Sequence, residues 1–159
     1  MTSTGKAGDR RDDTGDEVHR RAMGLLAVAN RAELEAAWNG LAGKPATQMV
    51  RGPETGLVMV RGRIGGGGAA FNLGEATVSR ASIRLEDGTI GHAHALGGDR
   101  ETVRLAAIFD GLFQQPAHRA DVERLLDVVA ARLRREDEAQ ARQTAATRVD
   151  FFTMVRGED

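Results

Sequence analysis

Apolar positions recur at helical spacing early in the chain. Val18, Ala22, Leu25, Leu26 and Ala29 lie on one 3.6-period face. Asn30-Arg31-Ala32-Glu33 follows with capping-box chemistry, in which the Asn side chain accepts the N3 amide and Glu33 reaches back. A second helical face carries Leu34, Ala37, Trp38 and Leu41; Gly40 and Gly43 end it, and Pro45 prevents resumption. The pattern predicts an N-terminal helical hairpin or one bent helix from Asp16, behind a polar segment, residues 1–15, read as a disordered tail. In the middle, Val50, Val58, Val60, Ile64, Val78, Ile83 and Ile90 sit in short runs between glycines. These predict antiparallel strands over about 47–51, 57–64, 70–73, 76–85 and 89–96, four to five in all. Gly65–Gly68 separates the second from the third, and Asp87-Gly88 is a strong hairpin signal. After Gly97-Gly98 the helical period returns. Asp99 can cap a helix with Leu105, Ile108, Phe109, Leu112 and Phe113 on one stripe, which Pro116 ends. Another helix runs from about Ala120, with Val122, Leu125, Leu126, Val129 and Leu133 inward. No large apolar residue follows for fifteen positions, until an extended hydrophobic segment, Val149–Val155. The class is α+β, one domain over 16–159 without repeats.

The length, 159 residues, suits that single domain, which can bury about 68–70% of its unfolded surface. Lys+Arg is 22 against Asp+Glu 23, a net charge of -1, which argues against a strongly basic nucleic-acid binder. The absence of cysteine excludes disulfides, thiolate zinc sites and a Cys nucleophile. No run of about 18 apolar residues exists to span a bilayer, and no apolar segment follows Met1 as a secretory signal would, so a cytoplasmic protein is expected. Aromatics are only 4%, so the core is built of smaller side chains that bury less area each. That is a mild hint of stabilisation by partners.

Three features could carry chemistry. The run Arg61-Gly62-Arg63-Ile64-Gly65-Gly66-Gly67-Gly68 could bring backbone amides and arginines to a phosphate, or simply turn a hairpin. It lacks the Gly-Lys-Ser/Thr of a P-loop. His92-Ala93-His94 puts two rings on one strand face. With Asp87-Gly88 as a two-residue turn, Leu85 faces Ile90, Ile83 faces His92 and Ala81 faces His94. The rings then share the apolar face, as structural histidines at a core margin or as two ligands of one metal. The opposite face carries Arg80, Ser82 and Arg84 against Ala95, Ala93 and Gly91. It is either a solvated strand face or a contact for a partner or a phosphorylated ligand. No G-x-S-x-G or other nucleophile motif is present, and His19 and His118 are expected to face solvent.

Several stretches together resemble one family. They are Pro53-Glu54-Thr55-Gly56-Leu57-Val58, the Arg63-to-Gly68 glycine loop, Gly74-Glu75-Ala76-Thr77-Val78-Ser79-Arg80, Asp87-Gly88-Thr89-Ile90-Gly91, and the ending Arg148-Val149-Asp150-Phe151-Phe152-Thr153-Met154-Val155-Arg156-Gly157. The chain over about 18–157 is similar to PhnG, the G subunit of the bacterial carbon–phosphorus lyase core complex.

The resemblance implies a role in organophosphonate catabolism. With the H, I and L subunits, the family displaces adenine from ATP with a phosphonate, giving ribose 1-phosphonate 5-triphosphate; a later radical step on the J subunit breaks the carbon–phosphorus bond. It implies that the I subunit carries the nucleosidase chemistry and is the closest partner, and that ATP is the complex's substrate; this chain itself is expected to hold no cofactor or metal. No catalytic residue carries over. Where some relatives read His-Ala-Glu, this chain reads Thr102-Val103-Arg104. Expected contacts are Arg80, Arg84 and Arg63 to ligand or partner, and Phe151, Phe152 and Met154 docking into a partner subunit. The alternative is an independent phosphate- or nucleotide-binding enzyme using the Gly-rich loop and Arg80/Arg84.

Overall fold

A computed structural model describes residues 10–63 and 67–146. Helix α1 spans Arg10–Val28 and α2 spans Arg31–Gly40. Three strands follow, β1 (Thr47–Arg63), β2 (Ala70–Leu85) and β3 (Ile90–Leu96), then α3 (Arg100–Phe113) and α4 (Pro116–Ala146). The sheet is an antiparallel meander in the order β1-β2-β3. The α+β class stands.

The core forms around α3. Every residue from Leu105 to Phe113 is buried, because the sheet covers one side of this helix while α1, α2 and α4 cover the other. Ala81, Ile83 and Leu85 of β2 and Ala93 of β3 meet it from the sheet. Ala22 and Leu26 of α1, Leu34 of α2, and Val122, Leu125, Leu126 and Val129 of α4 meet it from the helices. Val18, the first residue of the expected α1 stripe, is exposed. Asn30 caps α2 through the full capping box: its side chain accepts from Glu33 N, and the Glu33 carboxylate accepts from Asn30 N. Asp99 caps α3 by accepting from the Glu101 and Thr102 amides. Arg132 of α4 ties three helices together: it donates to Glu33 at 2.8 Å, to the Val28 carbonyl at 2.8 Å and to Glu136 at 3.0 Å.

Several boundaries differ from the sequence reading. Helix α1 begins at Arg10, six residues before Asp16, without an apolar stripe to mark it. The sheet has three strands, not four or five, because bulges absorb the expected breaks. In β1, extra residues are accommodated between Met49 and Glu54; Gly52, at φ +68°, lies where a Cβ would sit 2.7 Å from the Arg80 carbonyl. In β2, the irregularity falls at Leu73, opposite the Val60–Arg61 step. Helix α4 begins at Pro116, not Ala120. Proline suits a first helical position, where its missing N–H costs nothing. It continues unbroken through the polar stretch to Ala146. Val149–Val155, with Phe151, Phe152 and Met154, lies outside the described residues, as do Ile64, Gly65 and Gly66.

Candidate functional site

The β2–β3 turn decides which side chains share a face. Leu85 N donates to Thr89 O at 2.8 Å and Gly88 N to Leu85 O at 2.9 Å, closing a three-residue loop, Glu86-Asp87-Gly88. Gly88 takes the positive φ (+91°) that such a loop requires. The Asp87 carboxylate accepts from the Thr89 amide and hydroxyl, each at 2.9 Å, bracing the turn. A three-residue loop shifts the register by one from the two-residue expectation, and such a slip moves each side chain to the other face. Ser82 therefore pairs with His92, and Arg80 with His94. The two rings do not line the apolar face. They stand exposed on the arginine face, and Gly91 and Ala93 take the buried positions.

The outer face of the sheet is thus a polar ladder. One row holds Glu54, Arg80 and His94; the next holds Arg51, Ser82 and His92; a third pairs Gln48 with Arg84 and Ile90. Glu54 Oε1 accepts from Arg80 Nε at 2.6 Å and from Arg51 Nε at 2.9 Å. These two guanidinium groups, Arg80 first, hold the Glu54 carboxyl below its ordinary pKa. Ser82 Oγ and His92 Nδ1 are 2.8 Å apart. Arg84 is exposed and has no polar partner among the described residues. Beside the ladder lies a concavity of about 370 Å³, lined by Thr55, Leu57, Val58, Val78, Arg80 and His94 among others.

Beneath the ladder, α3 braces the edge strand. Asp110 is 2% exposed, and its two oxygens serve two elements: Oδ2 accepts from His92 N at 2.8 Å, and Oδ1 lies 2.6 Å from His19 Nε2 of α1. Gln114 Nε2 donates to Ile90 O at 2.9 Å. Backbone groups of β3 that another strand might claim are thereby taken by α3. His19 is consequently not a free solvent-facing ring: Asp110 holds it and it stacks on Phe113 at 5.9 Å. His118 is half-buried at the start of α4. Asp110 escaped the sequence reading; its one signal is a carboxylate inside the stripe Leu105–Phe113.

Among the described residues, nothing covers the opposite end of the sheet. Beyond Val78, β2 pairs only with β1, and this two-stranded arm exposes Leu57 (64%), Val58, Met59, Val60, Phe71 and Leu73 (62%). Large apolar groups lie on both faces. Arg63, at the arm's tip, donates to the Gly68 carbonyl at 3.3 Å and stands apart from Arg80 and Arg84. Thr102 is buried, and Arg104 pairs with Glu101 at 2.6 Å. Among the described residues no three His, Asp or Glu cluster to hold a metal, and no helix is long and apolar enough to cross a membrane.

Residues 18–157 match the model of a family described as phosphonate metabolism protein PhnG. A protein of Rhizobium meliloti (strain 1021), the alpha-D-ribose 1-methylphosphonate 5-triphosphate synthase subunit PhnG, is 63% identical over 148 residues, which cover 93% of this chain and 95% of the relative.

Proposed function

Because the chain belongs to the PhnG family of phosphonate metabolism proteins, we propose that it is a subunit of an alpha-D-ribose 1-methylphosphonate 5-triphosphate synthase that supplies binding surface and leaves the bond-making groups to its partners. In this reading it works in the cytoplasm with the H, I and L subunits, most closely with I. The assembly displaces adenine from ATP with a phosphonate, ahead of carbon–phosphorus cleavage on the J subunit. ATP is then the substrate of the assembly, and the chain holds no cofactor of its own.

One observation carries the reading, the uncovered arm of β1 and β2. A two-stranded hairpin alone is marginal in water. Six large apolar side chains on its two faces form a surface of the kind that marks a protein interface. The free outer edge of β1 adds backbone donors and acceptors that an incoming strand can pair. A partner subunit that covers the arm satisfies both. The segment containing Phe151, Phe152 and Met154 is a second docking element in this reading, with the Phe rings as anchors.

Co-expression with the H, I and L subunits tests it. Leu57→Asp with Leu73→Asp should abolish co-purification and adenine release from ATP plus methylphosphonate, while the isolated variant keeps its helical circular dichroism. Deleting residues after Arg148 should likewise prevent assembly. Adenine release by this chain alone, or normal assembly of the arm variant, would overturn the reading.

A further inference from the structure

We propose that Arg80 and Arg84, with Ser82 between them and His92 and His94 alongside, form a binding site for a triphosphate chain, that of the 5-triphosphate ribosyl group. The inference rests on the reading of the chain as a synthase subunit, and it assigns this face a ligand in addition to the partner contacts of the arm.

The argument begins with what the side chains leave uncommitted. An arginine carries five N–H donors. Arg84 uses none of them among the described residues, and Arg80 commits its Nε to Glu54. Glu54 also holds Arg51 by Nε, so one carboxylate oxygen sets two guanidinium groups side by side and leaves both with terminal NH2 groups to donate. The ladder thus carries three arginines and one carboxylate. Guanidinium forks suit phosphate oxygens, in pairs and with geometric selectivity. Ser82 and the two imidazoles add polar groups on the same face, spaced by the pleat at roughly 6.7 Å along a strand and about 4.8 Å between strands. The donors therefore form an extended row, a shape suited to a chain of phosphates more than to a single one. The concavity of about 370 Å³ adjoins the Arg80–His94 end, and its wall includes Val58, Val78 and Leu57. That end offers apolar surface to the sugar while the row holds the anion.

The face is also held in place. Asp110 pins the His92 amide and Gln114 the Ile90 carbonyl, so β3 is fixed to the buried helix α3 behind it. Rigid elements position binding groups better than loops do. The small residues on the reverse side, Gly91 and Ala93, are what let α3 come this close.

Inorganic tripolyphosphate, titrated into the full-length chain and followed by the histidine ring resonances, tests the site. His92 and His94 should shift, and His118 should not. Arg80→Ala with Arg84→Ala should weaken binding at least tenfold. Arg134→Ala with Arg135→Ala removes the same charge from the far half of α4 and should leave the affinity within twofold. Equal weakening by both double variants would mean nonspecific attraction and overturn the proposal, as would the absence of any shift at millimolar tripolyphosphate. If the Arg80/Arg84 variant binds tripolyphosphate normally but no longer assembles with the other subunits, the face is a protein interface and the proposal fails. A chain that assembles yet ignores tripolyphosphate removes the site and leaves the subunit reading intact. A chain that binds as described and never assembles removes the subunit reading alone.

Discussion

A methyl group on Gly91 would overlap the carbonyl oxygen of Ala107 and lie 2.5 Å from Gly111 N. Both neighbours are backbone, so neither can rotate away. Gly91→Ala should therefore destabilise the fold by about 3 kcal/mol or more, at the upper end of overpacking costs. Gly24→Ala, in α1 with nothing within 4 Å of the new Cβ, should stabilise by roughly 0.5–1 kcal/mol through reduced backbone freedom in the unfolded chain. Urea midpoints compare the two, and a Gly91→Ala protein as stable as the parent would contradict the close approach of β3 to α3. Glu33 supplies a pH dependence. Burial pushes its carboxyl up, but the hydrogen bonds from Arg132 and from Asn30 N outweigh this and hold it below the ordinary glutamate value. The unfolded chain thus binds this proton more readily than the folded one. Its stabilising contribution is complete above about pH 4.3 and is lost as pH falls through the lowered folded value. Acid unfolding should accordingly be shallower in Glu33→Gln; an unchanged acid slope would show that the Arg132 tie contributes nothing.

Among the elements, those with a strong local signal were legible. The capping box at Asn30, the Asp99 cap and the stripe of α3 are all where the sequence puts them, because each is a contact within one turn of chain. The strands were harder. The gaps left between the expected strands at 52–56 and 74–75 are not breaks: pairing runs across both, with bulges between Met49 and Glu54 and at Leu73. The dipeptide Asp87-Gly88 marked the hairpin correctly and its length wrongly, and that single residue moved His92 and His94 from the core side to the arginine side. Nothing local distinguishes the two loops; the packing of Gly91 and Ala93 against α3 does. The exposed setting of Arg80 and Arg84 was legible from alternation alone. Asp110 was not, since its partners lie 18 and 91 residues away in sequence. Amide exchange should follow the burial of the elements. Protection should be greatest in α3, fall along α4 after Leu133, where side chains face water on nearly all sides, and be low in the arm before Val78. Slow exchange at residues 57–60 of the isolated chain would mean that the arm is already covered.

At the scale of the whole molecule, one end is closed and the other open. Arg132 binds α1, α2 and α4 together over a core that leaves no buried side-chain polar atom without a partner among the described residues. Among the described residues, the outer edge of β1 and the arm have no such cover. Arg132→Ala should thus cost about 1.5–3 kcal/mol of stability, the range for hydrogen bonds to charged groups, without altering the arm. A melting point within error of the parent would remove Arg132 from that role.

The bare arm also bears on supply. A chain released from the ribosome without a partner displays the open strand edge and apolar surface that invite self-association and attract chaperones and proteases. Copies made in excess of the covering subunit are then the ones removed. The steady-state level of this protein in the cell should therefore follow the synthesis of its partner more closely than its own, and a larger share of it should be degraded when it is made alone than under matched co-synthesis.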